Sequence, residues 1–346
     1  MTPNPGSTAM LEDSEPPQFE KLVAPQAGPR KYEFVYLNMM THAYWHLSSI
    51  YSLYLCFTSA KWATLLFALF IFIISDISVT GGSHRLWAHR SYKAKLPLEI
   101  LLIIMNCIAF QDTAYTWARD HRLHHRYSDT DADPHNATRG FFYSHIGWLF
   151  VRKHPEVVAR GKTIQIDDLK KNKLLQFQRK YAFPLMGTFC FFMPTFVPVY
   201  FWGESINTAW HINLLRYVCN LNAIFLVNSA AHMFGYKPYD KNIASVQNLA
   251  VTVATLGEGY HNYHHTYPWD YRAAELGNNK FNLTTKFIDF FAWVGWAYDL
   301  KTVPQESIRK RMARTGDGTD LWGYERKNLE YDDEANNDFI KNDIVH

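Results

Sequence analysis

The sequence predicts an all-α membrane protein: four transmembrane helices in two hairpins, with a cytosolic helical cap that carries a His-rich metal site. Three observations carry this prediction. Apolar stretches of membrane length occur in two closely spaced pairs, the segment between the pairs is rich in Arg and Lys, and His residues cluster in three short boxes. Lys plus Arg at 35 against Asp plus Glu at 32 leaves a net charge of +3 over 346 residues. So near a balance offers no broad basic face for a nucleic-acid backbone, which excludes nucleic acid as a partner. The mean hydropathy of -0.24 resembles that of a soluble protein, but such an average conceals apolar runs alternating with charged loops.

Residues 1–30 are polar, Pro-rich and acidic, with Glu12, Asp13 and Glu15, and lack the basic start and apolar run of a cleavable signal. They are expected to be disordered and cytosolic. The membrane domain then occupies 31–325. Its first hairpin is 41–59 and 62–80, joined by a connector containing Lys61 and interrupted only by Asp76. Its second is 181–202 and 209–233, joined by a short segment whose only charge is Glu204. The intervening segment 81–180 carries Arg85, Arg90, Arg119, Arg122, Arg126, Arg152, Lys153 and Lys170 among others, so the positive-inside rule places it, and both termini, in the cytosol. The apolar run 96–110 is too short to span and contains Glu99, and 281–300 mixes Lys286 and Asp289 with aromatics; both suit helices on or under the membrane surface. Residues 326–346, with Glu330, Asp332, Asp333, Glu334, Asp338 and Asp343, read as an acidic disordered tail. Cys56, Cys107, Cys190 and Cys219 form no CxxC pair and sit in apolar stretches as free thiols.

The boxes are HRLWAH (His84, His89), HRLHH (His121, His124, His125) and HNYHH (His261, His264, His265). At this His content an H-x-x-H-H pattern arises by chance on the order of 0.03 times per chain, so two copies are not accidental. On a helix, positions i, i+3 and i+4 share a face, which lets each triplet aim three imidazoles at one place. His84 and His89, about 140° apart on an α-helix, converge only at metal beyond a frayed helix end. Asn228 and His232, four apart, add an amide and one more imidazole. The scattered His42, His46, His145, His154 and His211 read as ordinary polar residues. Nine His exceed the four ligands of one zinc, so two metals are implied, and imidazole suits iron, zinc and copper alike. A zinc hydrolase would need an HExxH or HxxEH base, yet neither motif occurs and Glu258 is the one nearby acid. A membrane haem protein would need paired His within the spans. Asp129, Asp131 and Asp133 alternate as in a calcium loop, but Pro134 and Gly140 stand where that loop needs Gly and Glu. The N-x-T sequons at Asn136 and Asn282 face the cytosol in this topology.

HRLWAH, HRLHH, NSAAH and HNYHH, in this order between and after two hairpins, resemble the integral-membrane acyl-CoA desaturases over roughly residues 30–325. GGSHRLWAHRSYKAKLPLE, WARDHRLHHRYSDTDADPHNATRGFFYSHIGW, GEGYHNYHHTYPWDY and RTGDGT carry the resemblance. PQAGPRKY and AELGNN look like the lepidopteran pheromone-gland branch. The resemblance implies a di-iron centre of two Fe held by His84, His89, His121, His124, His125, His232, His261, His264 and His265, with Asn228 acting through a bound water. It further implies O2 as oxidant, cytochrome b5 as electron donor, a fatty acyl-CoA substrate, and residence in the endoplasmic reticulum membrane in contact with lipid. The chemistry agrees, because an unactivated methylene has no acidity for a base to exploit and calls for a metal-based oxidation.

By the same resemblance Asn38, Arg119, Asp120, Arg152 and Lys153 contact the coenzyme A portion, lipid headgroups being the other reading of these charges. Trp117 shapes the bend of the acyl tunnel, and Phe72 and Asp76 lie near its blind end. An acid in a span invites a functional reading, although pairing or snorkelling accounts for it equally. Ile224 and Phe225 replace the Thr-Trp of stearoyl-type enzymes beside the bend, and Gln247 stands where delta-9 insect relatives often carry Glu. The first departure alters the shape of the tunnel and the second resembles the delta-11 type, with a delta-9 desaturase or a fatty-acyl hydroxylase on the same scaffold as the alternatives.

Overall fold

A computed structural model describes residues 32–275 and 281–326. The expected disorder of 1–30 and of the acidic tail after Arg326 lies outside the described residues. Among the described residues three helices are long and apolar enough to cross a membrane, Trp62–Ala88, Ala182–Trp202 and Ile206–Met233, and the bent pair Leu96–Ala109 with Ala114–Tyr127 would make a fourth if it is one span. Helix α1 (Tyr36–Thr58) is as long and carries no charge, but Asn38, His42, His46 and three serines lower its hydropathy below theirs. It packs along Ile206–Asn228, where Ser52 Oγ donates to the His211 carbonyl at 2.6 Å, and turns Leu37, Met40, Leu47, Ile50, Tyr54 and Phe57 outward. The two hairpin turns clasp each other. Glu204 accepts from the Lys61 backbone N–H at 2.9 Å and from Thr64 Oγ1 at 2.6 Å, while Lys61 Nζ donates to the carbonyls of Trp202 and Gly203. The lone charges of the two connectors are thereby satisfied together, and they fix the hairpins side by side.

Helix α2 (Trp62–Ile77) does not fray before the first His box, as its spacing suggested. It widens over Ser78–Ala88 into π-helical turns, with the His89 N–H donating to the His84 carbonyl at 3.0 Å. Residues five apart then share a face, so a regular but wider helix does what fraying was expected to do. Gly82 permits the close approach there, since a Cβ would lie 3.1 Å from the Trp87 ring.

Helix α3 (Leu96–Ala109) ends at Phe110 in left-handed conformation, φ 49°, and α4 (Ala114–Tyr127) leaves it at 84°, with the Thr113 side chain accepting from the Thr116 N–H. Leu98 and Leu102 of α3 are fully buried, so this helix is part of the core and not a surface float. A second wide-turned stretch, Gly187–Phe192, interrupts the span Ala182–Trp202. The all-α expectation gains one small exception, an antiparallel ribbon of β1 (Lys93–Ala94) and β2 (Ala297–Tyr298) beside helix Leu283–Trp293.

Candidate metal centre

Four pieces of chain bring the His boxes together: the wide turn after α2, helix α4, the end of the span Ile206–Met233, and the short helix His261–Thr266. The last has no cap of its own. Gln247 supplies one from a distance, its Oε1 accepting from the backbone N–H groups of Asn262 at 3.2 Å and Tyr263 at 3.4 Å. Gln247 lies outside the cavity wall described below, so its difference from Glu bears on how the third box is seated and not directly on the shape of the cavity.

The imidazoles separate into two groups, His84, His89, His121, His125 and His264 in one and His124, His232, His261 and His265 in the other, with ligand atoms within 4.8 Å of one another in each. Nε2 to Nε2 distances are 2.9 Å for His84 to His264, 2.8 Å for His89 to His121, 3.0 Å for His125 to His264, 3.1 Å for His232 to His261 and 3.0 Å for His261 to His265. Nitrogens about 2.1 Å from one ion and at right angles around it are about 3.0 Å apart, so both groups fit a metal ion. Burial, then the neighbouring imidazoles, holds His89, His121, His125, His261, His264 and His265 well below the ordinary His range. They are neutral, the form that binds metal. Asn228 is half-buried at the cavity beside His121.

Carboxylates behind the imidazoles orient them, a feature sequence reasoning missed. His84 Nδ1 lies 2.9 Å from Glu258, His124 Nδ1 lies 2.9 Å from Asp133, and His232 Nδ1 lies 3.1 Å from Asp129. Each leaves Nε2 facing its group and makes the ring a better donor. The signal was present in DTDAD directly after the second box, but it was weighed only as a calcium loop; Glu258, weighed as a hydrolytic base, is engaged by Arg85 at 2.7 Å. Burial favours the neutral acid at Glu258, yet Arg85 and His84 outweigh it and bring the carboxyl down to about 2. Asp133 is likewise held at about 2 by His124 against burial, and burial, opposed by Asp133, takes His135 down to about 4.

A cavity of about 350 Å³ opens against the first group, with His121 in its wall and the Trp117 ring stacked on His121 at 4.7 Å. Its wall combines polar side chains, among them Asp112, Thr116, Asp120 and Lys153, with the apolar Trp45, Phe110, Trp148, Tyr217, Leu221, Ile224 and Phe225. Of the residues expected at a substrate, the wall contains Trp117, Asp120, Lys153, Ile224 and Phe225. Arg119 pairs with Asp120 at 2.7 Å, and Asn38 donates to the carbonyl of Leu149, a wall residue, at 2.8 Å. Arg152 is exposed and meets Glu33 at 3.3 Å. Phe72 and Asp76 are not in this wall. Asp76 is fully buried 3.5 Å from the Asn220 amide, which accepts from the wall residue Gln111 at 3.0 Å, so two side chains separate it from the cavity.

The profile of the family described as fatty acid desaturase matches residues 60–275. The chain is 64% identical over 319 residues to the Acyl-CoA Delta(11) desaturase of Spodoptera littoralis, covering 92% of this chain and 94% of that protein. It is 61% identical over 313 residues to the protein of the same name from Choristoneura rosaceana, covering 90% and 93%. It is 59% identical over 321 residues to the (11Z)-hexadec-11-enoyl-CoA conjugase of Bombyx mori, covering 93% and 96%.

Proposed function

This chain belongs to the fatty acid desaturase family, and on that premise we propose that it is a delta-11 acyl-CoA desaturase that introduces a double bond into a saturated fatty acyl-CoA. The observation that carries the reading is the contact between an apolar cavity and a buried nine-imidazole centre, through His121 and Trp117. Names of the relatives favour C11 as the site of the new bond.

The nine His, with Asn228 beside them, would hold two irons. Bound iron supplies the redox chemistry that breaks unactivated C–H bonds at the expense of O2. In the overall reaction O2, two electrons from cytochrome b5 and two protons, together with the two substrate hydrogens, leave as two waters. The chain's own residues do the rest. Lys153, bonded to Asp120 beside Arg119, offers a cationic group in the cavity wall, where the phosphates of coenzyme A are recognised. The apolar part of the wall desolvates the acyl chain, and Trp117 holds it against His121. Asp133, Asp129 and Glu258 keep the imidazole rings in one orientation.

In the membrane, α1 joins the three more apolar helices as a fourth span, its uncharged outer face of Leu37, Met40, Leu47, Ile50 and Phe57 meeting lipid. Both termini and the His centre then face the cytosol, in the endoplasmic reticulum, where cytochrome b5 is available.

Expression in yeast lacking its own desaturase tests the reading, with mass spectrometry of derivatised fatty acids locating the double bond. Delta-11 monoenes that disappear without O2 are expected. Mainly delta-9 products would remove the regiochemical part, and mainly hydroxylated products would remove the desaturase assignment.

A further inference from the structure

The stretch that leads into the span Ala182–Trp202 carries Lys170, Lys171, Lys173, Arg179 and Lys180. The acids around it are mostly engaged elsewhere. Asp167 lies 3.5 Å from Lys170, but Asp168 is taken by Arg90 at 2.6 Å and Arg122 at 2.7 Å, and Glu99 accepts from the Asn172 amide at 3.1 Å. Among the described residues Lys171, Lys173 and Lys180 meet no carboxylate, and all three are exposed.

Helix Lys173–Lys180 has two unlike faces. At about 100° per residue Lys173, Phe177 and Lys180 fall within about 60° of one another, while the buried Leu175 and Gln178 fall on the opposite side. The buried side belongs to the core. Gln178 Oε1 accepts from the backbone N–H of Ala114 at 3.0 Å, the first residue of the helix that carries the second His box. On the flank the Arg179 guanidinium lies 4.6 Å from the Tyr115 ring. The exposed side alternates cations and rings: Phe177 is 5.0 Å from Tyr181, and the Lys180 ammonium is 5.2 Å from that same ring. Just inside the span Phe183 is exposed too, and α3, packed against this helix, turns Leu96, Ile100 and Ile104 outward. Exposed rings and lysines at the start of a span belong at the depth where the apolar layer gives way to phosphates.

We propose that Lys171, Lys173 and Lys180, with Phe177 and Tyr181 between them, form a docking face for the headgroups of anionic phospholipid. Lipid phosphates and carboxylates supply the negative charge that the protein withholds from these lysines, and the rings rest among the groups just beneath. A lipid fits better than an acidic protein because the face continues without a break into the span. The inference does not depend on what the metal centre does.

Detergent-solubilised full-length protein is titrated with phosphatidylserine, and thermal unfolding is the readout, since a ligand on the exposed face steadies a helix whose other face lies in the core. Saturable stabilisation that weakens at high ionic strength is expected, with none from phosphatidylcholine or inorganic phosphate. Replacing Lys171, Lys173 and Lys180 together by Gln is expected to weaken the response to phosphatidylserine about fivefold per lysine, on the order of 100-fold in all. The same three positions as Arg are expected to keep it. Arg309→Gln with Lys310→Gln, on helix Gln305–Thr315 and outside this face, is expected to leave it unchanged. If the triple Gln variant does not fold, Lys173→Glu and Lys180→Glu singly carry the same comparison. Equal stabilisation by phosphatidylcholine or by inorganic phosphate, or an equal loss in the Arg309 and Lys310 variant, overturns the proposal. No response to phosphatidylserine also overturns it and leaves the face to an acidic protein.

Discussion

Replacing Glu258 by Ala separates the two tasks of one carboxylate. Glu258 is buried, accepts from Arg85 Nε at 3.1 Å and Nη2 at 2.7 Å, and lies 2.9 Å from His84 Nδ1. Arg85 keeps only neutral partners without it: Thr285 Oγ1 at 2.9 Å, the Tyr271 carbonyl at 3.0 Å and Asn282 Oδ1 at 3.3 Å. A buried guanidinium with no counter-charge costs about 3–5 kcal/mol. Loss of the group behind His84 weakens metal binding about 10–100-fold. Both are measurable on purified protein, the first by thermal unfolding and the second by iron retained against a graded chelator. Glu258→Gln, which keeps an acceptor without the charge, falls between wild type and Ala on both. The double variant Arg85→Met with Glu258→Leu removes the stranded charge, so it recovers much of the stability and none of the iron affinity. Wild-type iron retention in Glu258→Ala would refute the reasoning.

Asp133 also accepts from the backbone N–H groups of Asp129 and His135 at 2.8 and 2.9 Å, so Asp133→Asn frees His124 and loosens its loop. Iron per chain should fall toward half on mild chelation, the group of His124, His232, His261 and His265 emptying first. Trp117→Ala and Ile224→Thr alter the cavity wall and no proposed ligand, so product isomers or chain lengths should shift while iron content stays at the wild-type value. Lys153→Ala should raise KM for acyl-CoA with kcat nearly unchanged, and the difference should shrink at high ionic strength because the residue is well exposed.

The helices of the second and third His boxes were legible from their spacing, although each triplet is divided between the two groups and not aimed at one place as expected: His121 and His125 lie in one group and His124 in the other, and His264 lies in one and His261 and His265 in the other. The first box was not legible in this way. Its five-residue spacing fits no α-helical face, and the π-helical turns that resolve it, packed against α4 and α3, are not encoded by a local pattern. The pairing of Lys61 with Glu204 was hidden for a similar reason: each is a single charge in its own turn, and only the side-by-side hairpins bring them together. Asp129 and Glu258 were visible as residues but not as supports, since their partners His232 and His84 lie 103 and 174 positions away, whereas Asp133 is only nine positions from His124 and was read as part of a calcium loop instead. Phe72 and Asp76 show the converse. Their placement came from resemblance, and the cavity runs along α1 and the Ile206–Met233 span while α2 contributes nothing to its wall.

The central claim is that nine imidazoles hold two irons beside the acyl cavity, and anomalous diffraction at the iron edge from crystals of the purified protein tests it most directly. Two iron peaks are predicted, one within His84, His89, His121, His125 and His264 and the other within His124, His232, His261 and His265. A single peak, or peaks that appear at the zinc edge and not at the iron edge, would contradict the account.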